Sequence, residues 1–216
     1  MEHLMKKFDV FVFDWDGTLA TLGPLYALNE RFSPFWKHKK KRYSAVEKDA
    51  AEIKRINYNI KKRMRETRVE GKLFARFVDM YFALSRPRLQ RGSREVLDEL
   101  KRNEKVICLF TNGATWRIQR ELSGLGLMRY FEVIVSAQEI RAIKPNPSGL
   151  NAIIKEIGAE KGDVLYTGDM VDDVMMAKYA KVSSCAIADG FSSYQNLRSA
   201  RPTYLFRTME EFKKSL

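Results

Sequence analysis

From residue 91 onward, short apolar runs alternate with amphipathic stretches, and few folds accept that order. SREVLDELKRN has helical spacing, with Ser93 placed as an N-cap, and KVICLFTN reads as a strand. ATWRIQRELSGLG reads as a helix closed by glycine, FEVIVSA as a strand, and NPSGLNAIIKEIG as a helix with Pro147 near its start. DVLYTGD, DDVMMAKYA and SSCAIA continue the pattern as strand, helix and strand, and TYLF and MEEFKKSL end it. One earlier strand, KFDVFVFD, belongs with these. Strands apolar along their whole length are buried on both faces, and the helices between them cover those faces. The expected fold is therefore α/β: a doubly wound, Rossmann-like parallel sheet.

The alternation is interrupted after the first strand. Residues 20–90 read as helical throughout. Val46, Ala50, Ile53, Ile60 and Met64 form one stripe, broken by Asn57; Leu73, Phe74, Phe77, Val78, Tyr81 and Phe82 form a second, which Pro87 ends. The charge changes there too. This segment holds 18 Lys/Arg against 7 Asp/Glu, while the rest of the chain holds 21 against 20, so nearly all of the +12 net charge lies in it. The expected domains are a core of residues 1–19 and 91–216 and an inserted α-helical cap of residues 20–90. The basic surface has three readings: a field that attracts phosphorylated substrates, a solvated helical face, or nucleic-acid contact. The solvated face is preferred for most of these charges, with one or two facing the site; Tyr43, Tyr58 and Tyr81 form no obvious stacking platform for nucleic acid. Cys108 and Cys185 sit in strand-like runs without CxxC spacing and read as buried free thiols. His3 and His38 have no partners at ligand spacing. With no apolar run of membrane-spanning length and no signal-peptide pattern at the N-terminus, the expectation is a cytoplasmic protein, monomer or homodimer.

In open parallel sheets, sites form beyond the carboxyl ends of strands. The first strand ends in Asp14-Trp15-Asp16-Gly17-Thr18, and the second in Thr111-Asn112-Gly113. Lys144 lies in AIKPNP after the third, and the fourth ends in Gly168-Asp169, with Asp172 and Asp173 following. Carboxylates, one lysine, one hydroxyl and glycine-flanked amides suit an oxygen-liganded Mg²⁺ beside a phosphoryl group. Asp14 and Asp16 stand two residues apart, so an extended chain points both side chains to one side. One can attack phosphorus while the other moves a proton.

DxDGT, TN, a KPxP lysine and GDxxxD, in this order, resemble the motifs of the haloacid dehalogenase superfamily of phosphohydrolases. LSGLGLMRYFEVIVSAQEIRAIKPNPSGL is similar to the family's stretch between its second and third motifs, and the insert resembles the family's first type of helical cap. The resemblance is phosphoglycolate-phosphatase-like. It implies that Asp14 is nucleophile and metal ligand, and that Asp16 is general acid/base with its backbone carbonyl on the metal. It implies that Thr111, Asn112 and Lys144 bind the phosphoryl group, Lys144 also neutralising the nucleophile. Asp169 would ligate Mg²⁺, and Asp173 would hold the metal's waters or orient Lys144. The chain departs from the family pattern where Ala20-Thr21-Leu22-Gly23-Pro24 follows the first motif, and where Met170 replaces a common serine. Trp15 is large for its place and could wall a pocket or pack on the cap; Trp116 is expected in packing.

The resulting expectation is a Mg²⁺-dependent phosphatase for a small phosphorylated metabolite: phosphoglycolate, a sugar phosphate or a nucleotide monophosphate. A 2-haloacid dehalogenase or phosphomutase of the same fold stands as an alternative; Asp16 argues against the dehalogenase. A nucleic-acid-binding protein with an inactive phosphatase-like core is the alternative from another class, though nucleic acid is not the expected partner. No membrane association is expected.

Overall fold

The structure, a computed structural model, describes residues 3–21 and 87–216. The chain divides into two units, Met1–Leu25 with Pro87–Leu216, and Tyr26–Arg86; the described residues belong to the first. Both helical stripes expected in the cap lie outside the described residues.

Within that unit, α1 (Leu4–Lys7) leads into β1 (Val10–Phe13). After the short β2 (Ala20–Thr21) and β3 (Arg88–Leu89), the chain runs α2 (Ser93–Arg102), β4 (Val106–Thr111), α3 (Thr115–Gly124) and β5 (Val133–Ser136). It continues through α4 (Ala137–Ile140), α5 (Ser148–Ile157), β6 (Val164–Gly168), α6 (Val171–Ala180) and β7 (Ser183–Ile187). The last elements are α7 (Tyr194–Ser199), β8 (Tyr204–Phe206) and α8 (Met209–Lys213). Six strands form one sheet in the order β5-β4-β1-β6-β7-β8, every pairing parallel. The α/β doubly wound fold is therefore present as expected.

Period-two alternation sorts the strand residues between two layers. Phe11 and Phe13 of β1, with Ile107 and Leu109 of β4, face the layer that holds Val96, Leu97 and Leu100 of α2, Ile118 and Leu122 of α3, and Phe212 of α8. Val10 and Val12, with Cys108 and Phe110, face Leu150, Ile153 and Ile154 of α5 and Met176 and Ala177 of α6. Both cysteines are buried and unbridged. Helix α5 approaches the sheet closely, since a Cβ on Gly149 would stand 2.1 Å from the Phe110 ring. Helix α2 corrects one detail: Gly92, in the left-handed region at φ 87°, occupies the cap position, and Ser93 is the first helical residue, buried.

Strand order reverses at β1. From there the chain moves outward through β4 and β5, then crosses back to β6, β7 and β8. The crevice beyond β1, β4 and β6 is thus the topological switch point. Ala20 pairs with Leu89 and Thr21 with Arg88, antiparallel, so the chain lies side by side at 20–21 and 88–89.

Candidate active site

Asp14 follows β1 directly, its amide donating to the Thr167 carbonyl of β6. Its Oδ1 accepts the Trp15 amide at 2.7 Å and meets the Lys144 ammonium at 2.6 Å. Lys144 arrives from the loop after α4 and reaches Asp173 Oδ1 at 2.8 Å as well. Asp173 stands in the first turn of α6, with Tyr166 donating to Oδ1 at 3.0 Å and the Met170 amide to Oδ2 at 2.9 Å. Asp169 follows β6; Thr18 donates to its Oδ1 at 3.0 Å and the Phe191 amide to its Oδ2 at 2.7 Å. Asp14, Asp169 and Asp173 each bring a carboxylate oxygen to within 4.8 Å of the others, and all three are buried.

Glycine makes this crowding possible at two places. Gly17 turns the chain at φ +83°, and a Cβ there would lie 2.4 Å from Asp169 Oδ2. A Cβ on Gly190 would lie 2.1 Å from the same oxygen.

Three buried carboxylates around one lysine leave an excess of negative charge. Burial pushes the Asp14 carboxyl up to about 7; Lys144 draws it down in part, and Asp173 and Asp16 add to the rise. Burial, then Asp173 and Asp14, push Asp169 well above the ordinary carboxylate range. Burial acts to lower the Lys144 pKa, but Asp14 and Asp173 outweigh it and hold the ammonium charged. An oxygen-only donor set short of positive charge fits a hard divalent cation.

The motif residues of β4 close the arrangement. Thr111 is buried, and its hydroxyl oxygen accepts the Gly113 amide at 3.0 Å, so its proton remains available to a ligand. Asn112 is exposed, and its side-chain oxygen accepts the Lys144 amide at 3.1 Å, tying the second motif to the third. A family model for haloacid dehalogenase-like hydrolases matches residues 11–187, a span that contains Asp14, Asp16, Thr111, Asn112, Lys144, Asp169 and Asp173. The chain belongs to that family.

A phosphoglycolate phosphatase of Haemophilus influenzae is 28% identical over 119 residues, which cover 55% of this chain and 53% of that protein. Pyrophosphatase PpaX of Halalkalibacterium halodurans is 25% identical over 120 residues, 56% of this chain and 56% of that one. The chain thus spans about half the length of the curated relatives it matches. A crystal structure of a predicted phosphoglycolate phosphatase from Haemophilus somnus superposes with a TM-score of 0.71 at 21% identity, covering 96% of this chain and 97% of that one. It shares the fold.

This haloacid dehalogenase-like hydrolase also carries a buried network that its motifs do not announce. Trp15 is fully buried among core residues, and its indole N–H donates to Glu121 Oε2 at 2.6 Å. Glu121 and Arg117 stand one turn apart on α3, and Arg117 grips Asp16 through both terminal guanidinium nitrogens, Nη1 and Nη2. Burial raises the Glu121 pKa, with Arg117 and the Trp15 bond pulling against it. The carboxylate of Asp16 accordingly lies with Arg117, while the Asp14, Asp169 and Asp173 carboxylates cluster together. Asp172 is half-buried and outside that cluster. Trp116, expected in packing, is 42% exposed, with the Arg120 guanidinium 5.7 Å from its ring.

Thr18, Tyr166 and the Phe191 amide also support the site without having been picked out from sequence. Thr18 had the clearest signal, as the last residue of DxDGT. The 190–191 turn had none, because its role depends on where β7 lies beside β6.

Proposed function

We propose that this chain hydrolyses a small phosphomonoester through an aspartyl-phosphate on Asp14. One observation carries the reading: Asp14 after β1, Lys144 from the loop after α4, and Asp169 and Asp173 after β6 meet in a single buried cluster. Asp14 and Asp169, with the backbone carbonyl of Asp16, would hold Mg²⁺, and the cation would supply charge neutralisation at the phosphoryl oxygens.

The protein's own groups divide the remaining work. Among the described residues, the Trp15 amide and the Lys144 ammonium both meet Asp14 at Oδ1, and Oδ2 would take phosphorus. As the Asp14–phosphorus bond forms, the bond to the leaving oxygen breaks, and Asp16 gives that oxygen a proton. Water then attacks phosphorus, Asp16 takes the water's proton, and Asp14 is released with inorganic phosphate. Lys144, held charged between two carboxylates, steadies Asp14 and the phosphoryl oxygens. The Thr111 hydroxyl donates to one of those oxygens, and Asn112 keeps the Lys144 backbone in place while its own amide serves a second. Asp173, fully engaged by Tyr166, Met170 and Lys144, orients the lysine.

Relatives named for phosphoglycolate and pyrophosphate favour a small, strongly anionic substrate, phosphoglycolate first, with sugar phosphates and nucleoside monophosphates next. Residues 20–90 would act as the cap that excludes water and selects the substrate in a cytoplasmic enzyme; in support, the ends of that segment adjoin the Asp14–Leu19 loop, the Gln90 amide donating to the Leu19 carbonyl. The test is acid quenching with labelled 2-phosphoglycolate or p-nitrophenyl phosphate, with Mg²⁺ or EDTA. Wild type should turn over and retain acid-stable label only with Mg²⁺, and Asp14→Asn should lose both. Turnover surviving in Asp14→Asn, or undiminished in EDTA, would overturn the proposal.

A further inference from the structure

Arg117 stands in the first turn of α3 with its side chain only 5% exposed. Arginine is seldom buried unless paired. Its guanidinium meets Asp16 as a fork: Nη1 donates to Oδ1 at 2.8 Å and Nη2 donates to Oδ2. Two parallel contacts fix the plane of a carboxylate as well as its position, which a single donor cannot do.

The fork is itself anchored. Nη1 lies 3.5 Å from each Glu121 oxygen, and Glu121 accepts the Trp15 indole. Trp15 is the chain neighbour of Asp16, so the contacts leave the loop through one residue and return through the next. Gly113 matters as well: a Cβ there would lie 2.4 Å from Nη2, so the guanidinium fills the space the missing side chain leaves.

A purely structural arginine would need one acid, and buried Glu121 is already one helical turn away. Asp16 is the more exposed acid, at 23% against 3%, yet it receives the closer, two-point contact. The pairing therefore serves Asp16 more than Arg117.

We propose that Arg117 is the positioning residue for the Asp16 carboxylate, holding it by the fork in the place from which it exchanges a proton with the leaving oxygen. The inference rests on the phosphatase reading of Asp16 given above. In turnover one carboxylate oxygen leaves the fork carrying the proton, and the other stays on the guanidinium, so the group pivots about a fixed point. The proton passes to the leaving oxygen as its bond to phosphorus breaks, and a proton returns from the water that cleaves the Asp14 ester.

The test compares kcat/KM on aryl phosphates of increasing leaving-group basicity, p-nitrophenyl, phenyl and p-methylphenyl phosphate. The proteins are wild type, Arg117→Met, Arg117→Lys, Asp16→Asn and the Asp16→Asn/Arg117→Met double variant. A misplaced acid should cost Arg117→Met roughly 10- to 100-fold on the most basic leaving group. On p-nitrophenyl phosphate, which needs little protonation, the loss should stay within about threefold. Arg117→Lys, which restores one contact and the charge, should recover part of the loss and serves as the readout if Arg117→Met does not fold. In the Asp16→Asn background, Arg117→Met should add no further leaving-group dependence. Equal losses on all three substrates would overturn the proposal and leave a structural arginine. Faster turnover of p-methylphenyl phosphate would also overturn it, identifying a restraining contact instead. If Asp16→Asn itself shows no leaving-group dependence, the acid role of Asp16 has failed, and this inference falls with it for a distinguishable reason.

Discussion

Gly190→Ala is the sharpest test of the proposed Mg²⁺ site, because the substituted methyl would act on one proposed ligand, Asp169, through a distance that can be worked out. Its Cβ would lie 2.1 Å from Asp169 Oδ2, 2.5 Å from Asp169 Cγ and 2.5 Å from the Gly17 carbonyl oxygen. An ordinary contact needs about 3.5 Å, so roughly 1.4 Å must be found at the carboxylate and 1 Å at the carbonyl. The Gly17 backbone cannot yield readily, since its amide donates to the Ala20 carbonyl at 2.8 Å within the same tight loop. The carboxylate and the 188–191 turn must therefore separate, which breaks the 2.7 Å bond from the Phe191 amide. Mg²⁺ demands oxygen at about 2.0–2.1 Å in near-octahedral order, so a displacement over half that length removes Asp169 as a ligand. Affinity should fall by about 10- to 100-fold, or roughly 1.4–2.7 kcal/mol. Gly190 is exposed, and the folding cost should be about that of one hydrogen bond to a charged group, roughly 1.5–3 kcal/mol. Titration calorimetry with Mg²⁺ on wild type, Gly190→Ala and Asp169→Asn measures the effect. Gly124→Ala, where a new Cβ meets nothing within 4 Å, is the control. A folded Gly190→Ala protein that binds Mg²⁺ like wild type would refute Asp169 as the ligand.

Other consequences follow from the same geometry. In EDTA, burial keeps a proton on Asp14 in the native state up to about pH 7, while the unfolded chain releases it near the ordinary carboxylate value of 3.8. Stability should therefore fall as pH rises from about 4 to 7, by roughly 4 kcal/mol from Asp14 alone, and Mg²⁺ should reverse the loss. A urea midpoint that holds or rises across this window in EDTA would contradict it. Trp15→Phe removes the donor at 2.6 Å from buried Glu121 and should cost about 1–3 kcal/mol, read as a Tm fall of several degrees. An unchanged Tm would mean that the indole bond contributes nothing. Gly149→Ala forces a methyl to 2.1 Å from the Phe110 ring and should cost about 1–3 kcal/mol, with Phe110→Leu in the same chain recovering part of it in chemical denaturation.

What the sequence made legible and what it hid follow from the range over which each signal acts. Strand β1 is readable because VFVF needs only its own composition to declare burial on both faces, and every pairing it makes follows from the alternation around it. The structure brings Asp14, Lys144, Asp169 and Asp173 together, and one rule leads to that expectation without knowledge of any side-chain contact: segments that follow parallel strands gather at one edge of the sheet. Trp15 could not be placed that way. Its partner Glu121 lies 106 residues on, and Asp16 finds Arg117 at a separation of 101. The trace they leave in sequence is faint but physical. Arg117 and Glu121 fall at i and i+4 on the stripe that also carries Ile118 and Leu122, so an opposite-charge pair stands where a helix should be apolar. Such a pair costs desolvation that its own attraction rarely recovers. Its presence on a core-facing stripe therefore signals a further polar partner arriving from elsewhere in the chain. Here the partners are two neighbours in one loop, Trp15 and Asp16, and they join the helix to the carboxylate proposed to move the proton.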